Sequence, residues 1–132
     1  MHDVLQWYGW AALGAGGIPF RGLSAASGGV LVTEGGLATV TSHLARFGEW
    51  APNEAMLARL QVGSVVRGAD ARFFTHELLE ARFMASGMSY DAAHALALRQ
   101  AGVSPFSLYH PTVIQQFPAH FNNNWRAYWG LK

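Results

Sequence analysis

The stretch Asp70-Ala71-Arg72-Phe73-Phe74-Thr75-His76-Glu77-Leu78-Leu79-Glu80-Ala81-Arg82-Phe83-Met84, then Gly87, then Ser89-Tyr90-Asp91-Ala92-Ala93-His94 and on to Ala101, decides the fold. Two helix-periodic runs flank one glycine, the pattern of a helical hairpin. At about 100° per residue, Phe73, Glu77, Glu80, Ala81 and Met84 share a face, with His76 at its edge and Phe74 and Leu78 extending it on the other side. A carboxylate therefore falls in the middle of an apolar stripe. In the second run Tyr90, His94, Ala97, Leu98 and Ala101 share a face, and Ser89 is placed to cap it. If the two helices fold back about Gly87, residues whose numbers sum to about 174 lie at one level, which sets Glu80 opposite His94 and Met84 opposite Tyr90. His76 is then one turn from Glu80, and Glu77 lies beside them. Charged groups are costly in such a place unless they pair or perform chemistry. His76, Glu77, Glu80 and His94 are the candidate site. Two plainer readings compete: a histidine–glutamate pair that only ties two helices together, or a different helix register that leaves Glu80 and His76 in water.

Working toward the N-terminus, Asp70 reads as the cap of the first hairpin helix and Val65-Val66-Arg67-Gly68 as a short connection. Asn53 reads as the cap of a helix carrying Met56, Leu57 and Leu60, ended by Gly63. Glu49, Glu54, Arg59 and Arg67 read as solvated charges. Leu37, Val40, Leu44 and Phe47 have helical spacing, with His43 beside that stripe as an ordinary helix residue and Gly48 just past its end. Residues 1–36 form an apolar, glycine-rich segment led by Trp7, Tyr8 and Trp10 and interrupted by Pro19. It is expected to be irregular, with Val30 to Thr33 a short strand. It is too glycine-rich to read as a transmembrane helix, although insertion into a membrane is a competing function for it.

Working toward the C-terminus, Gly102 closes the hairpin. Pro105 and Pro111 prevent a regular helix between them and leave Tyr109 and His110 on a rigid turn, a sensible mount for a catalytic imidazole. Val113 to Phe117 reads as a short helix begun by Pro111. Trp125, Tyr128 and Trp129 fit a terminal helix that docks by its aromatic face.

The chain has 132 residues, is 51% hydrophobic and 13% charged, and carries a formal net charge of +1, which fits one globular domain without the basic stripe of a nonspecific nucleic-acid binder. It contains no cysteine, which excludes disulfides, thiolate zinc sites and a cysteine nucleophile. No basic and apolar leader of the secretory type stands at its start. The expected architecture is a mainly α domain of four to six helices spanning 37–132, after the glycine-rich segment 1–36.

With these residues in view, the run Phe73 to Glu80, Gly87-Met88-Ser89-Tyr90-Asp91-Ala92-Ala93-His94, Val103 to Pro111 and the Asn-Trp terminus resemble the C-terminal effector domains of bacterial polymorphic toxins of the Rhs-repeat and filamentous-haemagglutinin type. The resemblance covers about residues 37–132 and names no particular activity. It implies secretion as part of a larger effector, delivery into a rival cell, and a cognate immunity protein.

Among chemistries, the zinc-protease pattern fails because Glu80 stands where the second histidine is needed. His76, Glu80 and His94 nonetheless make a two-histidine, one-carboxylate set able to hold a divalent metal. Metal-independent acid–base chemistry fits more directly: His94 as base, oriented by Glu80, with His76, His110 or a buried Glu77 as acid, and Tyr109 and His110 completing the candidate residues. Nucleases are the commonest class among the toxins this chain resembles, so the leading expectation is a hydrolase of RNA or another nucleotide-containing target. The competitors are a membrane-inserting toxin and a helical interaction domain with a purely structural pair.

Overall fold

The hairpin forms, and its first helix becomes the axis of the domain. The computed structural model describes residues 29–131, so the proposed membrane-inserting stretch lies almost wholly outside the described residues. In order these are β1 (Gly29–Leu31), α1 (Glu34–Ala45), α2 (Ala51–Arg59), β2 (Val65–Arg67), α3 (Gly68–Ala85), α4 (Tyr90–Ala101), α5 (Pro111–Gln116) and α6 (Asn123–Tyr128), with single 3-10 turns at Pro105–Ser107 and Pro118–His120. Six α-helices and one two-stranded ribbon among the described residues make the domain mainly α, as the periodicity predicts.

α3 is buried without a break from Phe73 to Arg82, so it is not a surface helix with one apolar stripe. α4 packs along it antiparallel, α1 covers a second side, and the β-ribbon and α2 cover its start. Phe73, Phe74, Met56, Val40 and Val32 form the centre of the resulting core. A helix enclosed in this way must place its polar side chains inside, and every one of them then needs a partner.

The turn at Gly87 follows from the chain chemistry. Gly87 adopts φ 111°, and Met88 N–H donates to the Phe83 carbonyl at 3.1 Å, closing the end of α3 in a Schellman-type cap. Ser89 Oγ then accepts from Ala92 N–H at 3.3 Å and starts α4. The short loop enforces the antiparallel register that brings Glu80 to His94.

Elsewhere tertiary partners override local signals. α1 begins at Glu34 rather than Leu37, because Thr33 Oγ1 accepts from Gly36 N–H at 3.0 Å. The boundary expected after residue 36 therefore falls inside a helix. Gly36 is required there by close packing: a Cβ would lie 2.8 Å from Phe74 Cζ. Asn53 does not cap α2, which starts two residues earlier with Pro52 in its first turn; its side chain instead accepts the Tyr109 hydroxyl. Asp70 does not cap α3, which starts at Gly68. It binds the Arg59 guanidinium at 2.8 and 3.1 Å, so Arg59 is paired rather than merely solvated. The connection at 65–67 is β2, antiparallel to β1 in the register Gly29↔Arg67, Val30↔Val66 and Leu31↔Val65. At the other end the aromatic terminus docks as expected: Trp129 Nε1–H donates to the Phe106 carbonyl at 3.1 Å, and Trp125 packs edge-on to Phe106 and Tyr109.

Candidate functional site

His76, Glu77 and Glu80 come from the middle of α3, His94 from α4, and a further imidazole, His43, from α1. Glu80 is the hub. Its Oε1 lies 2.6 Å from His43 Nε2, and its Oε2 lies 2.8 Å from His94 Nδ1 and 3.2 Å from His76 Nε2. His76 Nε2 and His94 Nδ1 are 3.2 Å apart. A carboxylate only accepts, so a ring nitrogen that hydrogen-bonds to it does so as the donor. Burial alone would raise the Glu80 pKa, but the hydrogen bonds from His43, His76 and His94 and the charge at His76 outweigh it and hold the carboxyl at about 2.

Glu77, one position round the helix from His76, is the opposite case. Burial first, and the Glu80 charge second, push its pKa well above the ordinary carboxyl value of 4.5. Its Oε1 has no hydrogen-bond partner, and His43 Nε2 lies 3.6 Å from it. Two carboxyls three residues apart thus favour opposite protonation states, an arrangement suited to pairing a base with an acid.

The imidazoles differ in exposure. His43 and His76 are buried at 3% and 0% exposure, whereas the His94 side chain is 34% exposed. His94 lines a cleft of about 580 Å³ whose wall includes Glu77, Glu80 and the rings of Trp50, Tyr90 and Tyr109. Tyr90 stacks on His94 with centroids 5.5 Å apart and 25° between planes, which restrains the imidazole.

Four of the six sequence candidates therefore meet: His76, Glu77, Glu80 and His94. Tyr109 reaches the same cleft, but its hydroxyl is engaged with Asn53, and burial above all raises its pKa, so it stays a neutral phenol. His110 does not join them. Its Nδ1 accepts from Thr112 N–H at 3.0 Å and caps α5, and burial together with Arg59 lowers its pKa. Pro111 puts this imidazole at a helix start, where the free N–H groups claim it. His76 lies behind Glu80 rather than in the cleft, so it positions the carboxylate instead of facing a ligand. His43 is the residue missed by the sequence reading, which left it beside the stripe. Gly36, Val40, His43 and Leu44 are the buried positions of α1, a helical spacing that would have put His43 on the inner face once the helix start was known.

Two trios of this cluster have the composition and spacing to hold a metal ion: His76, Glu80 and His94, and His43, Glu77 and Glu80, each with donor atoms within 4.8 Å of one another. Compared with protein-family models, curated proteins and solved structures, the chain finds no match in any of the three.

Proposed function

We propose that this domain is an antibacterial effector toxin, a hydrolase that cleaves RNA or another nucleotide-containing target by histidine–glutamate acid–base chemistry. The observation that carries the reading is His94, held through Nδ1 by Glu80 at 2.8 Å while its ring lines the aromatic cleft. With Nδ1–H directed at Glu80, the lone pair of the imidazole is on Nε2. On RNA, Nε2 takes the proton of a ribose 2′-hydroxyl, the freed oxygen attacks the adjacent phosphorus, and the bond to the 5′ oxygen breaks. Glu77, in the same cleft and biased toward its protonated form, gives that oxygen its proton. The products are a 2′,3′-cyclic phosphate and a 5′-hydroxyl end, and proton exchange with water resets His94 and Glu77. His43 and His76 position Glu80. The same donors are able to hold a divalent ion, but the reaction written here runs without one.

The likeness of residues 37–132 to polymorphic-toxin effector domains supports the rest of the reading: export within a larger effector, entry into a target bacterium, and neutralisation by a cognate immunity protein. The membrane-inserting reading depends on segment 1–36, of which residues 1–28 lie outside the described residues; no helix among the described residues is long and apolar enough to cross a membrane.

Induced expression in a bacterial host tests this. The wild type should stop growth and degrade RNA. His94→Ala and Glu80→Gln, once shown to fold by circular dichroism, should do neither, with cleavage down by about 10²–10⁴. Killing that persists in both folded variants overturns the reading and moves attention to the N-terminal segment.

A further inference from the structure

The contacts around Oε2 of Glu80 cannot all be hydrogen bonds. His76 Nε2, His94 Nδ1 and Oε2 form a triangle with edges of 3.2, 2.8 and 3.2 Å. A ring nitrogen carries either a hydrogen or a lone pair, and an ionised carboxylate oxygen carries only lone pairs. If both nitrogens donate to Oε2, the contact between the nitrogens sets two N–H groups against each other. If one nitrogen is bare, its lone pair faces the carboxylate. At most two of the three edges are satisfied by protons, inside a buried site where a mismatch is expensive.

We infer that His76, Glu80 and His94 form a binding site for one divalent transition-metal ion of the zinc class, with His43 holding Glu80 from behind. One cation satisfies all three lone pairs at once. Tetrahedral coordination with bonds of about 2.0–2.1 Å separates the donors by about 3.3 Å, close to the edges found here. Two imidazoles and one carboxylate suit zinc or iron(II) and leave a coordination position open. His94 and Glu80 line the cleft while His76, at 0% exposure, does not, so a ligand would reach a bound ion from the cleft side.

The outer contacts fit as well. His43 Nε2–H donates to the other oxygen of Glu80 at 2.6 Å, the way a metal-bound carboxylate is usually steadied. The second trio is a poorer host. Its Glu80 oxygen already takes the His43 proton, and its His43–Glu77 edge is 3.6 Å. An ion on Nδ1 of His94 moves the ring proton to Nε2, so the ion-loaded and ion-free clusters perform different chemistry. The inference shares its residues with the hydrolytic reading but stands apart from its fate, because binding is measured without substrate.

The test is calorimetric titration of the full chain with Zn²⁺, with a visible spectrum after loading Co²⁺. The expected result is one equivalent of Zn²⁺ per chain and the intense bands of a four- or five-coordinate cobalt ion. His94→Ala alters the most exposed donor and should abolish the one-equivalent binding, while His43→Asn should weaken it about 10–100-fold through the carboxylate. His120→Ala, which alters an imidazole of the cleft outside the trio, should bind as the wild type does. No saturable binding by the folded wild type, a cobalt spectrum like that of the hydrated ion, or unchanged binding in folded His94→Ala each overturns the site. None of these outcomes bears on RNA cleavage, so a protein that binds no ion but still degrades RNA refutes this site alone.

Discussion

Asp70 and Glu80 are carboxylates on the same helix, and both are paired, yet they behave as different chemical groups. Asp70 holds Arg59 through two bonds at the first turn of α3, where the paired side chains are 14% and 33% exposed. Glu80 is 3% exposed and faces three imidazoles. Water can replace either partner of the first pair at little cost. Nothing can replace the partners of the second except other protein groups, so three helices must agree on where Glu80 sits. The same pairing chemistry is decoration in one place and organisation in the other.

The sharpest way to break that contrast is to delete the hub. Glu80→Ala removes the shared acceptor and strands three buried or half-buried imidazoles, so urea unfolding should show a loss of about 3–5 kcal/mol. The corresponding pH effect has a definite sign. Glu80 is held at about 2 in the folded chain against an ordinary 4.5, so as acid is added the unfolded state takes up the proton first. Its contribution is complete above the ordinary carboxyl range and is lost as pH falls from there toward 2. Acid titration of folded Glu80→Gln should show a shallower decline over that window than the wild type. An equal decline would mean that Glu80 is not held by the imidazoles.

A smaller effect, of opposite sign, belongs to its neighbour. Glu77 is raised rather than lowered, so above its ordinary value the unfolded chain gives up a proton that the folded chain keeps. Stability therefore falls as pH rises through that range. Glu77→Gln should stabilise the protein at pH 7 by about 1–3 kcal/mol and lose that advantage below the ordinary carboxyl value. Thermal melts of the two proteins at pH 7 and pH 4 measure the difference; a Glu77→Gln variant less stable at both would show the carboxyl to be satisfied where it stands. The smallest effect is expected at the exposed end. Asp70→Asn should cost no more than about 1 kcal/mol, and less in high salt, by the same denaturation assay.

The hairpin was readable because everything that makes it is local. The helical periods, the Gly87 stop and the Ser89 cap lie within a single stretch, and a short loop leaves the two helices little choice of register, so the pairing of Glu80 with His94 follows by counting. The β-ribbon was half readable. The strand near Val30 is apparent, but its partner at 65–67 is remote in sequence, and three apolar or charged residues before a glycine carry no mark of pairing. Asn53 and Asp70 show the same limit: both have the chemistry of a cap, yet both are claimed by distant partners, Tyr109 and Arg59.

The site divides along the same line. The amino-acid order determined that a carboxylate and two imidazoles would meet across α3 and α4, because helical geometry and a tight turn act over short range. It also determined, through the absence of cysteine, that no thiolate takes part in any chemistry here. Only the tertiary structure decided that α3 is enclosed on all sides, that His43 arrives from α1 to complete the shell of Glu80, and that His94 opens to a cleft while His76 does not. Those outcomes depend on how whole helices pack. Packing sets burial, and burial separates a partly exposed ion pair such as Asp70 with Arg59 from an enclosed carboxylate such as Glu80.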